Sequence, residues 1–149
     1  MLVETSQVMS DPLQQLLDIE AIKQLKARYF RCMDTKDWVG FRDVFTADAV
    51  LEAEGRRREG GDDIAGFISK LLADVVTVHH GHMPEITLTG PDTATGVWAM
   101  FDYVEFPEHP SASFRGYGHY NEEYVREDGG WRIRRLVLTR LRVDPLTDG

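Results

Sequence analysis

The sequence predicts an α+β fold, a curved antiparallel sheet wrapped around N-terminal helices to form a cone with a central pocket. Three observations predict it. Helical patterns crowd the first half of the chain, strand patterns fill the second half, and turn signals separate those strands at short intervals. A chain of 149 residues suits one domain and buries roughly 68–70 % of its unfolded surface, enough for a core and an interior pocket.

Residues 1–10 carry no periodic pattern and read as a flexible tail, with a single domain expected over 11–144. Ser10-Asp11-Pro12 marks a helix start, a capping side chain followed by a proline whose missing N–H is harmless in the first turn. Leu13, Leu16, Leu17, Ile22, Leu25, Tyr29 and Met33 follow at mostly helical spacing, so one long amphipathic helix is expected to about Met33. Thr35-Lys36-Asp37 breaks it, and Asp37 can cap a short second helix through Trp38, Phe41, Val44 and Phe45. Thr46-Ala47-Asp48 leads into a strand over 50–54. Gly60-Gly61-Asp62-Asp63 reads as a turn plus cap, opening a third helix with Ile64, Phe67, Ile68, Leu71 and Leu72 on one side. After Asp74 the period falls to two, giving strands near 75–82, 84–89, 94–106, 114–126 and 131–142. Gly90-Pro91-Asp92, Pro107 to Pro110 and Asp128-Gly129-Gly130 are the turns between the later strands.

Charge and composition remove several classes of function. The net charge is −8, whereas phosphate backbones require concentrated Lys and Arg, so no nucleic-acid partner is expected. Arg56, Arg57 and Arg58, and the later group Arg126, Arg132, Arg134, Arg135, Arg140 and Arg142, read as solvated or subunit-facing surface. The single cysteine, Cys32, excludes a disulfide framework and any multi-cysteine metal site. The first residues lack the basic and apolar regions of a signal peptide, and no apolar run reaches membrane-spanning length. A cytoplasmic, membrane-free protein is the expectation.

The densest polar signal is Thr77-Val78-His79-His80-Gly81-His82-Met83-Pro84-Glu85, which holds three of the five histidines. On a strand, His80 and His82 share one face and His79 takes the other. Either His79 points into the cone as a general base, or His80 and His82 form a metal pair, with Glu85 as a possible third ligand. The metal reading lacks a partner histidine elsewhere at a telling spacing, and outer-face hydrogen bonding is the simpler role for His80 and His82. A base working near neutral pH suits histidine, and its second nitrogen requires an orienting group, normally a carboxylate. Asp34, at the end of the long helix, can supply it or can serve only as a turn residue. If Trp98 points inward, Met100, Asp102 and Val104 do so as well, which would place a second carboxylate near the base. Tyr120 and Glu122 share a face of the next strand. Both faces of these strands are partly apolar, which predicts association of subunits through the outer sheet face.

Ala21-Ile22-Lys23-Gln24-Leu25 through Tyr29, Asp34 and Lys36-Asp37-Trp38 resembles the opening of scytalone dehydratase and of hexachlorocyclohexane dehydrochlorinase. Thr77-Val78-His79-His80-Gly81 resembles the segment that carries their catalytic histidine. Gly118-His119-Tyr120-Asn121-Glu122-Glu123-Tyr124, followed by Asp128-Gly129-Gly130-Trp131-Arg132-Ile133, is similar to their last two strands. These stretches span most of residues 15–142 and resemble the SnoaL-like family of the nuclear-transport-factor-2-like superfamily, whose fold is a cystatin-like cone. The resemblance implies an Asp34–His79 dyad that abstracts a proton without a cofactor or metal. It also implies an aromatic pocket residue at Tyr120, a helix residue facing the dyad at Tyr29, and a trimer, with a dimer as the other option. The chain departs from both relatives. Val104 stands where scytalone dehydratase has a second histidine, Gly118 and Tyr120 replace its serine and asparagine, and Tyr29 replaces the dehydrochlorinase lysine.

The expected function is therefore a cofactor-independent lyase of dehydratase type, acting on a small hydrophobic or aromatic oxygenated molecule. His79 is the base and Asp34 its orienter, with Tyr29, Trp98, Met100, Asp102, Val104 and Tyr120 as substrate contacts. The alternatives are a non-catalytic binding or accessory subunit of the same fold, and an isomerase or polyketide cyclase using the same base.

Overall fold

The computed structural model describes residues 11–147, so the tail expected over 1–10 lies outside the described residues. The first helix, α1, spans Pro12–Asp34, and the Asp11 side chain accepts from the Gln14 amide at 2.9 Å to cap it. Its buried stripe is Asp18, Ile22, Leu25, Lys26, Tyr29, Cys32 and Met33. Leu13, Leu16 and Leu17, expected on that stripe, are more than half exposed. At about 100° per residue they fall on the opposite side of the helix from Ile22 and Tyr29. The short helix α2, Trp38–Asp43, is capped by Asp37, whose carboxylate accepts from the Gly40 amide.

Val44 and Phe45 leave that helix, and strand β1 runs from Phe45 to Ala53, several residues earlier than its apolar pattern suggests. Glu54 and Gly55, both with positive φ (53° and 76°), turn the chain into β2, Arg56–Glu59. This is the primed two-residue turn that matches strand twist. The sequence reading missed β2 because four consecutive charged residues carry no apolar period. Helix α3, Gly61–Leu72, starts at Gly60, whose φ of 95° suits glycine. Asp62 and Asp63 sit in its first turn, where negative charge meets the helix dipole, and do not cap it.

The remaining strands follow the predicted order as β3 (Val76–Gly81), β4 (Glu85–Gly90), β5 (Thr93–Glu105), β6 (Phe114–Glu127) and β7 (Gly130–Pro145). They join β1 and β2 in one unclosed sheet of order β2-β1-β7-β6-β5-β3, with β4 also pairing β5. The 13-residue β5 is long enough to take β3 and β4 along the same edge. One pair departs from the antiparallel expectation, since β1 runs parallel to β7. Register shifts between Tyr117 and Gly118 and between Glu123 and Tyr124 mark bulges in the β6–β7 pairing, which bend and twist the sheet. Helix α1 lies within the curve, packing Ile22, Leu25 and Tyr29 among Phe41, Tyr120, Tyr124 and Ile133. Among the described residues no helix is long and apolar enough to cross a membrane.

Candidate active site

Where α1 stops short of filling the cone, a cavity of about 160 Å³ remains. Leu51, Leu72, Val104, Phe114, Leu136 and Leu138 give it apolar walls, and His79, Asp102, Arg140, Tyr29 and Tyr120 also line it. The floor is held by the last turn of α1 and the start of β3. Asp34 ends α1, and its carboxylate accepts from the His79 amide at 2.7 Å and from Thr77 Oγ1 at 2.9 Å. Its Oδ1 also lies 2.7 Å from His79 Nδ1. Lys36, whose φ of 63° follows the helix end, donates to Thr77 Oγ1 at 3.0 Å. A carboxylate already held by an amide and a hydroxyl accepts a hydrogen bond from Nδ1–H, and in that tautomer the free ring lone pair is on Nε2. The His79 side chain is 7 % exposed and borders the cavity.

Alternation along β5 places Trp98, Met100, Asp102 and Val104 on the inner face, all buried. Only Asp102 and Val104 reach the cavity. Trp98 and Met100, expected as substrate contacts, are supporting residues. The closed half of the cone is occupied by Lys26 and Phe30 of α1, which pack against Tyr120. The Trp98 indole donates to the Tyr124 phenol at 2.8 Å, and the Met100 sulfur lies 3.8 Å from Arg140 Nη1. Tyr29 and Tyr120 meet edge to face at 5.9 Å and share a hydrogen bond between their phenols. Burial and the nearby Glu122 push the Tyr29 phenol far up, and burial does the same to Tyr120, so both remain proton donors.

Asp102 Oδ2 stands 3.8 Å from His79 Nε2. It is not free, because Arg140 grips it with two hydrogen bonds, Nη1 to Oδ1 at 2.6 Å and Nη2 to Oδ2 at 2.9 Å. Arg140 also donates to Glu54 Oε1 through Nε at 3.1 Å and Nη2 at 2.9 Å. Burial opposes the charge of this guanidinium, but Asp102 and Glu54 outweigh it and the pKa is raised. The sequence reading placed Arg140 on the surface with its neighbours. The signal that finds it is alternation, for Leu136, Leu138 and Arg140 are spaced i, i+2, i+4 and all line the cavity.

His80 and His82 are exposed, and the His80 ring packs 6.0 Å from Phe101 on the outer face. Among the described residues no group of three or more His, Cys, Asp or Glu side chains is placed to hold a metal. Cys32 is buried, its thiol pushed up by burial, with Sγ 3.7 Å from Asp37.

The described residues thus form an α+β cone in which a histidine–aspartate pair borders a largely apolar cavity. The SnoaL-like domain model matches residues 14–137, and the chain belongs to that family. Over 133 residues it is 24 % identical to the probable cyclase FGR4 of Gibberella zeae, covering 80 % of this chain and 89 % of that protein. A scytalone dehydratase-like protein from Novosphingobium aromaticivorans superposes with a TM-score of 0.83 at 17 % identity, covering 93 % of this chain and 94 % of the other. Hexachlorocyclohexane dehydrochlorinase LinA-type3 from Novosphingobium barchaimii superposes with a TM-score of 0.82 at 19 % identity, covering 93 % and 97 %. The fold is the cystatin-like one expected from the sequence.

Proposed function

We propose that this protein is a cofactor-independent lyase of dehydratase type, acting on a small hydrophobic or aromatic oxygenated substrate. The observation that carries the reading is the His79–Asp34 pair, whose Nδ1···Oδ1 contact of 2.7 Å leaves Nε2 facing an apolar cavity. In the proposed step Nε2 takes a carbon-bound proton, and the released electron pair forms a carbon–carbon double bond as the neighbouring C–O bond breaks. The imidazolium returns that proton to the departing hydroxyl, water leaves, and the enzyme regains its starting state. Asp34 orients the ring and offsets its transient charge, while the Tyr29 phenol donates a hydrogen bond to substrate oxygen. Copies associate through the outer sheet face as a trimer or a dimer in this reading, which sedimentation tests directly.

A screen of phenolic and polyketide-like compounds, followed by mass spectrometry for loss of water, identifies a substrate. With that substrate, His79→Ala is expected to lose about 10²–10⁴-fold in kcat while still binding it. A variant that keeps its full rate sinks the proposal. The similarity to a cyclase supports a second reading, in which the same base starts a cyclisation or isomerisation. Product of unchanged mass, with solvent deuterium at the activated carbon, would select it over elimination.

A further inference from the structure

Above the chamber lies a vestibule of about 270 Å³, and Leu51, Ala53, Glu54, Ile68, Leu71 and Phe106 border both spaces. The β1–β2 hairpin forms one side of it. In the antiparallel register Arg56 stands opposite Ala53 and Arg58 opposite Leu51. Directly opposed residues share a face of a sheet. Arg56 and Arg58 therefore face the vestibule with Ala53 and Leu51, and both line it. Arg57, between them, takes the outer face, where it pairs with Glu52 and Glu59.

The two inward arginines are differently supplied with counter-charge. Arg58 stacks on the Phe67 ring at 4.0 Å and has only a loose contact with Asp63 at 3.9 Å. Arg56 lies 5.9 Å from the same ring and pairs with no carboxylate among the described residues. Glu54, the acidic group shared by chamber and vestibule, is engaged by Arg140. A chain of net charge −8 thus presents under-paired guanidinium groups at the mouth of its apolar chamber. Such an arrangement favours an anion there, since planar guanidinium groups match carboxylate geometry and the stacked ring holds one of them in place.

We infer that the ligand is an amphipathic carboxylate whose apolar or aromatic body occupies the chamber beside His79 while Arg56 and Arg58 hold its carboxylate at the mouth. This deepens the proposed function by naming a substrate class, and it rests on the chamber being the ligand site, not on the elimination step.

Calorimetric titration of the full chain with phenylpropanoate, phenylpentanoate and phenylheptanoate, each beside its amide, tests it. At the best chain length the acid is expected to bind at least about fivefold more tightly than the amide, and added salt should erode that margin. In Arg56→Gln/Arg58→Gln the margin should fall towards unity with amide binding unchanged. Filling the chamber with Leu72→Trp, or separately with Val104→Phe, should abolish binding of both probes. His79→Ala should keep the acid preference, so a failure of the proposed base chemistry is read from turnover alone. Equal binding of acid and amide, no binding of any probe, or a preference that survives the double variant overturns the inference. So does acid binding that persists when the chamber is filled in a folded variant.

Discussion

At the residue scale, the candidate site depends on small groups that make room for charged ones. Gly116 pairs with Asp102 across β5 and β6, and a Cβ at that position would run into both the Asp102 carboxylate and the Arg140 guanidinium. Gly116→Ala is therefore expected to push the Arg140–Asp102 pair apart and to lower turnover with any substrate found, which kinetics on a folded variant would check. Removing Arg140 is harsher. The Asp102 side chain is 4 % exposed, and the nearest remaining charge-bearing partner would be His79 Nε2 at 3.8 Å. Arg140→Met should cost about 3 kcal/mol, the scale seen when one member of a buried ion pair is deleted. The double variant with Asp102→Leu should recover most of it in urea denaturation, and an unaffected single variant would show that the pair adds nothing to the fold. The sequence named His79, Asp34 and Asp102 as candidates, but alternation left open whether His79 or the His80 and His82 pair was the functional side, and the resemblance to the SnoaL-like family chose the His79–Asp34 pair. Arg140 escaped since a run of late arginines masks one inward position.

At the element scale, α1 is fastened to the sheet by polar groups that its sequence pattern conceals. Lys26 is fully buried, lies 3.1 Å from Glu122 on β6, and stands over the rings of Tyr29 and Tyr120 at 3.6 and 3.8 Å. Burial lowers the Lys26 pKa to about 8 against the pull of Glu122, and burial raises that of Glu122 against the pull of Lys26. Between pH 8 and 10.5 the unfolded chain thus holds the Lys26 proton that the folded chain has released, so this residue makes stability rise with pH across that window. In Lys26→Met that contribution disappears and Glu122 is left buried without its cation. A carboxyl with a raised folded pKa favours the folded state most at low pH and loses that contribution as pH rises. The variant should therefore be destabilised by about 3 kcal/mol near pH 8 and by clearly less near pH 5, as measured by chemical denaturation at both values. Equal losses at the two would show that Glu122 stays ionised. A second fastening joins Asp18 of α1 to Arg126 at 2.8 Å and to the Trp131 indole at 3.4 Å. Helical periodicity counts apolar residues, so it favoured Leu13, Leu16 and Leu17 over the Asp18 and Lys26 that are buried.

At the scale of the whole molecule, the sheet sorts its side chains into a closed interior and an exposed exterior. Val78, Tyr117 and Val143 remain exposed on the strands, and the half-buried Phe101 lies between the His80 and Tyr117 rings on the outer face. If this face carries the subunit contact, Phe101→Asp/Tyr117→Asp should shift the sedimentation coefficient to that of a monomer while the circular dichroism spectrum is kept. A wild-type chain that sediments as a monomer at all concentrations would remove the contact from the proposal. The interior contributes little to the total charge, and the net −8 conceals the arginines at the cavity mouth because composition has no position.

The sequence by itself determined the α+β class, the long helix, the third helix, the five later strands and which residues of β5 share a face, because hydrophobic period and turn chemistry are local. Only the tertiary structure decided the parallel β1–β7 pair, the β2 hairpin of charged residues, and which inward residues border open space. It also decided that Arg140 meets Asp102 across 38 positions and that Lys26 meets Glu122 across 96. Such pairings depend on sheet register and on how far one helix fills the cone, and these are properties of the assembled chain that no local window contains.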